Sequence, residues 1–287
     1  MYNIGMKNLM LNSQASIPVL GFGTWQLVGD TGTNAVVKAL EVGYRHIDTA
    51  DRYGNHKEIA QATQQSSLKR EDLFITTKIP RTLLERENVL LSVDRYLQEL
   101  NTSYIDLLLI HWPNKNIPIA ETLGAMQELK EQGKIRAIGV SNFTMHHLKD
   151  ALRDTSGQAK ATGVEITNNQ IELHPTFNQK ELREYCAANS IVVTAYSPLG
   201  RGQDIGLPLF QELAKKYNAS PAQVILNWIL QLGCVAIPKS EHEDQIEDNF
   251  KTLNWALEQA DIELINQLPQ GERLVNSLNP SHSEFDY

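Results

Sequence analysis

Four residues able to hold or pass a proton stand where apolar runs end. Asp48 closes Tyr44–Asp48, Tyr53 follows on the next loop, Lys78 lies near the end of Leu73–Ile79 and His111 closes Ile105–His111. Side chains of these types carry general acid–base catalysis, and a desolvated Lys near an acid can also serve as a Schiff-base nucleophile. More polar groups fall at the same end of later runs: Ser141 and Asn142, Gln170, Tyr196 with Ser197, and Lys239 with Ser240. Each alone has a structural explanation. Asp48 can cap a turn, Tyr53 can be a half-buried aromatic, Lys78 can snorkel to a rim and His111 can be a satisfied core histidine. Their joint placement shifts the balance toward chemistry, because a charge interrupting an apolar strand must find a partner or cost several kcal/mol.

A metal centre is a poor alternative. Zinc needs several His or Cys side chains converging at recognisable spacing. His146 and His147 are adjacent and diverge on a helix, while His46 and His56 lack companions and read as surface or structural residues. Cys186 and Cys234 are widely separated within apolar segments, as expected of inert core thiols in a reducing compartment.

The elements that must position these groups alternate in type. Short β-branched, apolar runs read as strands at Leu20–Thr24, Tyr44–Asp48, Leu73–Ile79, Ile105–His111, Ile135–Asn142, Asn169–Leu173, Ile191–Pro198 and Cys234–Ser240. Helical spacing fills the intervals at Thr33–Val42, Lys57–Gln65, Leu84–Leu100, Glu121–Gln132, Met145–Arg153, Gln179–Asn189 and Ala222–Leu232, with Asp244–Leu253 after the last strand. Ser220 followed by Pro221 is a helix start signal. Strands such as Ile105–Ile110 are apolar on both faces, which suits parallel strands covered by helices. Eight β–α units predict a (β/α)8 TIM barrel, whose chemistry belongs at the carboxyl ends of the strands. Leu9–Leu11 and Ile17–Val19 flank a polar turn and predict an N-terminal hairpin under the barrel; the polar C-terminal tail is expected over the catalytic face. An open doubly wound sheet would carry a Gly-rich turn after its first strand, but Gly21-Phe22-Gly23-Thr24-Trp25-Gln26 ends in Gln where the third Gly belongs. With no long linker, residues 1–287 read as one domain.

Composition narrows the partners. The 287 residues are 41% hydrophobic and carry a net charge of −8, with no basic cluster dense enough for nucleic acid. No stretch of about 18 apolar residues suggests a membrane span or signal peptide, so the expectation is a cytoplasmic monomer acting on a small molecule.

The segments Gly43–Ala50 with Tyr53-Gly54-Asn55, Ile75–Lys78, Asp106–Pro113, Gly139–Phe143, Asn169–Glu172, Ala195–Gly200 and Ile237–Ser240 together resemble the aldo-keto reductases. The resemblance spans nearly the whole chain and leans toward the bacterial branch of 2,5-diketo-gluconate and methylglyoxal reductases. It implies reduction of small aldehydes and ketones by hydride transfer from NADPH, with no metal. In that pattern Tyr53 is the proton donor, Lys78 adjusts its acidity, Asp48 pairs with Lys78 and His111 orients the carbonyl. An ammonium about 4 Å from a phenol favours the phenolate by roughly 4 kcal/mol at an effective dielectric near 20, before desolvation opposes it. The nicotinamide is expected against the Tyr196 ring, with its carboxamide on Ser141, Asn142 and Gln170. The phosphates are expected near Ser197 and Leu199, the 2′-phosphate on Lys239 and Ser240, and the adenine near Asp248 and Asn249. Gln245 departs from the pattern, since many relatives have Arg there, and this admits NADH as well. Trp25 and Trp112 are expected to line the substrate pocket, Pro80 stands where relatives often have another Trp, and Arg81, Arg201 and residues 276–287 are weaker substrate contacts. Two alternatives stay open: an aldolase-type barrel using Lys78 as a Schiff-base nucleophile, and a non-catalytic regulatory barrel that binds NADP(H).

Overall fold

The computed structural model describes residues 8–13, 15–152, 163–271 and 273–275. Eight strands follow one another in a single parallel sheet: β3 (Gly21–Gly23), β4 (His46–Asp48), β5 (Phe74–Ile79), β6 (Ile105–Ile110), β7 (Ile135–Ser141), β8 (Asn168–Glu172), β9 (Val192–Tyr196) and β10 (Val235–Ala236). Ahead of them, β1 (Asn8–Met10) and β2 (Ser16–Pro18) pair antiparallel as the expected hairpin. The ends of the sheet meet: Leu20 bridges Ala236 in parallel, and the Gly23 N–H donates to Pro238 O at 3.0 Å. Glycine is required at this seam, because a Cβ on Gly23 would lie 2.8 Å from Ile237 O. The barrel is therefore a ring of eight strands, as the alternation of elements predicts.

Helices α1 (Gly29–Val42), α2 (His56–Gln65), α3 (Arg86–Glu99), α4 (Ile119–Glu131), α5 (Met145–Leu152) and α6 (Lys180–Ala188) each follow a strand in the chain, and α4 and α6 pack against the next strand, β7 and β9. Between β9 and β10 come two helices, α7 (Pro208–Tyr217) and α8 (Pro221–Gln231), and after β10 come α9 (Glu243–Phe250) and α10 (Gln259–Asn266). Helix α7 is absent from the sequence reading. Its signal is Pro208 at the first turn with Phe210, Leu213 and Ala214 buried at helical spacing. Helix α8 begins as expected: Ser220 Oγ accepts the Gln223 N–H at 3.1 Å. Such a cap contributes about 1 kcal/mol.

Several strands end earlier than expected, for identifiable reasons. Asn142 (φ 63°) and Ser197 (φ 47°) are left-handed, which turns the chain out of β7 and β9 before Asn142 and Pro198 can join them. Strand β10 stops at Ala236, although Ile237 N still reaches Ala195 O at 3.2 Å, because Pro238 has no N–H to extend the ladder. Inside the barrel, Leu11, Ala15 and Ile17 of the hairpin share a buried cluster with Phe74, Leu107, Leu109 and Ala137, so the hairpin closes the end opposite the strands' carboxyl termini. Among the described residues no helix is long and apolar enough to cross a membrane. The tail residues 276–287 and Arg153 lie outside the described residues.

Candidate active site

Asp48 is the last residue of β4, and Lys78 is the fifth of six in β5. Alternation along β5 turns Thr76 and Lys78 to the inside of the barrel and Thr77 toward the helices. There Thr77 Oγ1 meets His56 Nε2 at 2.8 Å. Both Asp48 (2% exposed) and Lys78 (0%) are buried, and Lys78 Nζ donates to Asp48 Oδ1 at 2.6 Å and to Thr49 O at 2.7 Å. Its third direction points at Tyr53 Oη, 3.5 Å away. Tyr53 ends a short 3-10 turn, Asp51–Tyr53, which Gly54 stops in the left-handed region (φ 65°). Asn55 then pins the turn: it accepts from Thr49 Oγ1 at 2.6 Å and donates to Thr24 O and Leu27 O at 2.8 and 2.9 Å. The His111 ring stands edge-on to the Tyr53 ring with centroids 5.9 Å apart. The structure thus brings Asp48, Tyr53, Lys78 and His111 into one cluster at the carboxyl ends of the strands.

Burial dominates the electrostatics of this cluster. It pushes the Asp48 carboxyl up and the Lys78 ammonium down, while each opposes the shift of the other. Gln170 Nε2 donates to Asp48 Oδ2 at 2.7 Å, so both carboxylate oxygens accept donors and the pair is charged. Burial also raises Tyr53 well above the ordinary phenol range, and the Asp48 carboxylate adds to this. That corrects the expectation that Lys78 makes the phenol more acidic: at 3.5 Å the ammonium does not overcome desolvation, and Tyr53 is held protonated. His111 is driven well below the usual imidazole range by burial, then by the charges of Lys78 and Arg52, and is neutral. Its Nδ1 is buried without a partner among the described residues.

Beside this cluster runs a line of amides and hydroxyls. Ser141 Oγ donates to Gln170 O at 2.9 Å, Asn142 Nδ2 donates to His111 O at 3.0 Å and to Ser141 Oγ at 3.1 Å, and Tyr196 Oη donates to Asn142 Oδ1 at 2.7 Å. Ser141, Asn142, Gln170 and Tyr196 therefore adjoin one another, and the left-handed backbone at Asn142 folds its side chain back over the strand ends. Ser197 and half-buried Leu199 continue from Tyr196 into a loop that reaches Asp204. At the end of the last strand, Ser240 Oγ donates to Gln245 Oε1 at 2.8 Å, and Lys239 lies 3.8 Å from Glu241. Gln245 thus occupies the Ser240 hydroxyl, which the sequence reading assigned to a phosphate. Asp248 departs further: it accepts Gln223 Nε2 at 2.6 Å and the Ser220 hydroxyl, so both oxygens serve the start of α8. Asn249 is buried beside it on α9.

The two expected substrate-pocket aromatics differ. Trp112 is half-buried directly after His111, while Trp25 is 47% exposed with the Arg201 guanidinium 5.5 Å above its ring, which places it at a rim. Pro80 is buried and Arg81 half-buried, after β5. His46 and His56 are both buried, which excludes the surface reading, and His147 accepts the Thr144 N–H at the start of α5. Among the described residues no group of three or more His, Cys, Asp or Glu is placed to hold a metal.

The profile of the Aldo/keto reductase family matches residues 19–203 and 206–270. The chain belongs to that family. It is an oxidoreductase that reduces carbonyl groups with a nicotinamide cofactor. This aldo-keto reductase is 39% identical over 265 residues to a glyoxal reductase of Bacillus subtilis, covering 92% of this chain and 93% of that one. It is 38% identical over 263 residues to the methylglyoxal reductase DkgB of Yersinia pestis, covering 91% and 96%. Its fold superposes on a putative 2,5-diketo-D-gluconic acid reductase B with a TM-score of 0.89 at 31% identity, covering 98% and 97% of the two chains.

One cluster in this aldo-keto reductase escaped the sequence reading. His174, just past β8, places Nδ1 2.9 Å from Asp204 Oδ2 and Nε2 3.2 Å from Glu172 Oε1. Burial pulls its pKa down, but the two carboxylates outweigh burial and raise it to about 9. Glu172 was visible only as part of a motif, and nothing in the spacing ties it to Asp204. Because the folded-state value of His174 lies above the ordinary 6.5, its charge stabilises the fold fully below about pH 6.5, and this contribution is lost as pH rises through about 9. Thermal melts of the wild type should therefore show a fall in Tm across that interval that His174→Gln lacks; parallel profiles would rule out a charged His174.

Proposed function

We propose that this aldo-keto reductase uses NADPH to reduce small aldehydes and ketones, with Tyr53 as the proton donor. The observation that carries the reading is the Lys78 ammonium, bonded to Asp48 and Thr49 O and facing Tyr53 Oη in a buried site. The side chains present suit a nicotinamide. Its carboxamide needs both donors and acceptors, which Asn142 and Gln170 offer beside the Tyr196 ring, and the orphaned His111 Nδ1 marks a polar wall with unused capacity. When bound, the cofactor supplies a hydride to the carbonyl carbon. Tyr53, protonated because it is buried, donates its proton to the carbonyl oxygen as charge builds there. Lys78 then faces the phenolate left behind, so its ammonium acts on the product of the proton transfer rather than on the resting phenol. Asp48 and Thr49 O hold that ammonium in place, and neutral His111 directs the carbonyl. Trp112 and the rim at Trp25 supply apolar contact.

The aldolase alternative asks for an unprotonated Lys78, yet its three N–H directions are all taken up by Asp48, Thr49 and Tyr53. The names of the relatives, a glyoxal reductase and a methylglyoxal reductase, favour short 2-oxoaldehydes as substrates. Following absorbance during NADPH and NADH oxidation against methylglyoxal, aromatic aldehydes and keto-sugars tests class and cofactor together; no turnover of any carbonyl would sink the reading. The same reading has the enzyme acting as a cytoplasmic monomer, without nucleic acid or membrane partners.

Cofactor choice turns on Lys239, Ser240 and Gln245. Lys239 is the cation offered to a 2′-phosphate, and Glu241 at 3.8 Å offsets it. Gln245→Arg releases the Ser240 hydroxyl and adds a second cation. A charged hydrogen bond contributes about 1.5–3 kcal/mol, so NADPH should bind at least about tenfold tighter while NADH affinity stays within about twofold. Fluorescence titration of each cofactor measures this, and an unchanged NADPH to NADH ratio would remove this corner from the 2′-phosphate site.

A further inference from the structure

Glu172, His174 and Asp204 are 0%, 1% and 2% exposed, yet the proton transfer at Tyr53 uses none of them. Two carboxylates around one imidazole carry one more negative than positive charge, offset in part by the Arg273 guanidinium, and burying each ion is costly. Apolar side chains of the same volume would fill this space at less cost, but they would not accept hydrogen bonds. Glu172 accepts several. Its Oε1 takes the Leu274 N–H at 2.7 Å and its Oε2 takes the Val275 N–H at 2.9 Å. Burial pushes the carboxyl up, but His174 and these two amides outweigh it and keep Glu172 below the usual carboxylate range.

The path of the chain gives these bonds their consequence. Glu172 is the last residue of β8, on the same face of the strand as Gln170, and it pairs in register with Tyr196. The incoming segment is already guided along the loop after β8: Asn178 N donates to Gln270 Oε1 and Gly271 N donates to Thr176 O, both at 2.7 Å. Glu172 then carries it over the strand ends, where Arg273 Nη1 comes within 3.5 Å of Tyr196 Oη and its guanidinium lies 5.4 Å from the Phe177 ring centroid. On its other side, His174 ties the cluster to Asp204, which also accepts Thr176 Oγ1 at 2.7 Å.

We propose that Glu172 is a positioning residue whose buried carboxylate, braced by His174, clamps residues 273–275 through the backbone N–H groups of Leu274 and Val275 and so builds one wall of the pocket at Tyr196. The clamp itself is independent of the chemistry; its effect on substrates rests on the reductase reading above. Because the anchor is main chain, the identity of residues 274 and 275 is immaterial to it, but their N–H groups are not.

Val275→Pro removes one donor without touching the barrel, and Glu172→Gln removes the charge and one acceptor. Hydrogen exchange of the peptide containing Leu274 and Val275 reads the clamp directly. Losing a charge-assisted bond should speed exchange there by about 10-fold or more in both variants, with β5 and β6 unchanged. KM for a bulky aldehyde should rise about 10-fold, more than for methylglyoxal, with kcat altered less than about threefold. Unchanged exchange in Val275→Pro overturns the clamp, and faster exchange with unchanged KM for both aldehydes overturns its role as a pocket wall. A wild-type protein that reduces no carbonyl would defeat the reductase reading alone, since the exchange measurement does not depend on turnover.

Discussion

Tyr53→Phe is expected to lower kcat for carbonyl reduction by about 10²- to 10⁴-fold, the range a positioned general acid contributes, while NADPH affinity changes less than about twofold. The expectation follows from geometry. Only the hydroxyl is removed, the ring keeps its edge contact with His111, and Asn55 still holds the turn. Lys78 retains its bonds to Asp48 and Thr49 O, so the barrel should melt as the wild type does. The raised pKa of Tyr53 adds a pH signature. A donor whose proton is lost only above the ordinary phenol value keeps its activity as pH rises, so kcat should not fall between about pH 6 and about pH 9. Equal turnover by Tyr53→Phe and wild type would exclude Tyr53 as the acid. A steep fall in kcat near neutral pH would show instead that the ammonium prevails over burial in the working enzyme.

Lys78→Met is expected to abolish turnover to a similar degree and, unlike Tyr53→Phe, to destabilise the fold. It leaves Asp48 as an unpaired carboxylate that is 2% exposed, and breaking a buried pair in this way costs about 3–5 kcal/mol. The double variant Asp48→Asn with Lys78→Met should recover most of that loss, since the amide oxygen placed at position 48 can still accept from Gln170 once the charge is gone. It should not recover activity, because nothing then faces the phenolate. Urea unfolding of the single and double variants, read beside kcat, separates the two roles. If the double variant regained turnover, the ammonium would have no part in the reaction; if Lys78→Met unfolded at the wild-type midpoint, the pair would not be charged.

The barrel was legible because its signals are local. Strands such as β6 are apolar on both faces, helices repeat at 3.6 residues, and Ser220-Pro221 marks a helix start; each is readable within a short window. Helix α7 was missed since it follows a loop rather than a strand, so β–α alternation does not call for it. Strand ends were overrun at Asn142, Ser197 and Pro238, where backbone dihedrals or a missing N–H stop the ladder.

By itself, the chain's order of residues determined the class of fold, the family and the polar residues that end up at one mouth of the barrel, because residue type and strand alternation suffice for these. Only the tertiary structure decided what those residues do to one another. It set the phenol's protonation through burial, turned Asp48 toward both Lys78 and Gln170, committed Asp248 to the start of α8, and joined Glu172 to Asp204 and to backbone about a hundred residues away. Desolvation and long-range hydrogen bonding depend on what surrounds a group in space, and neighbours along the chain do not record that.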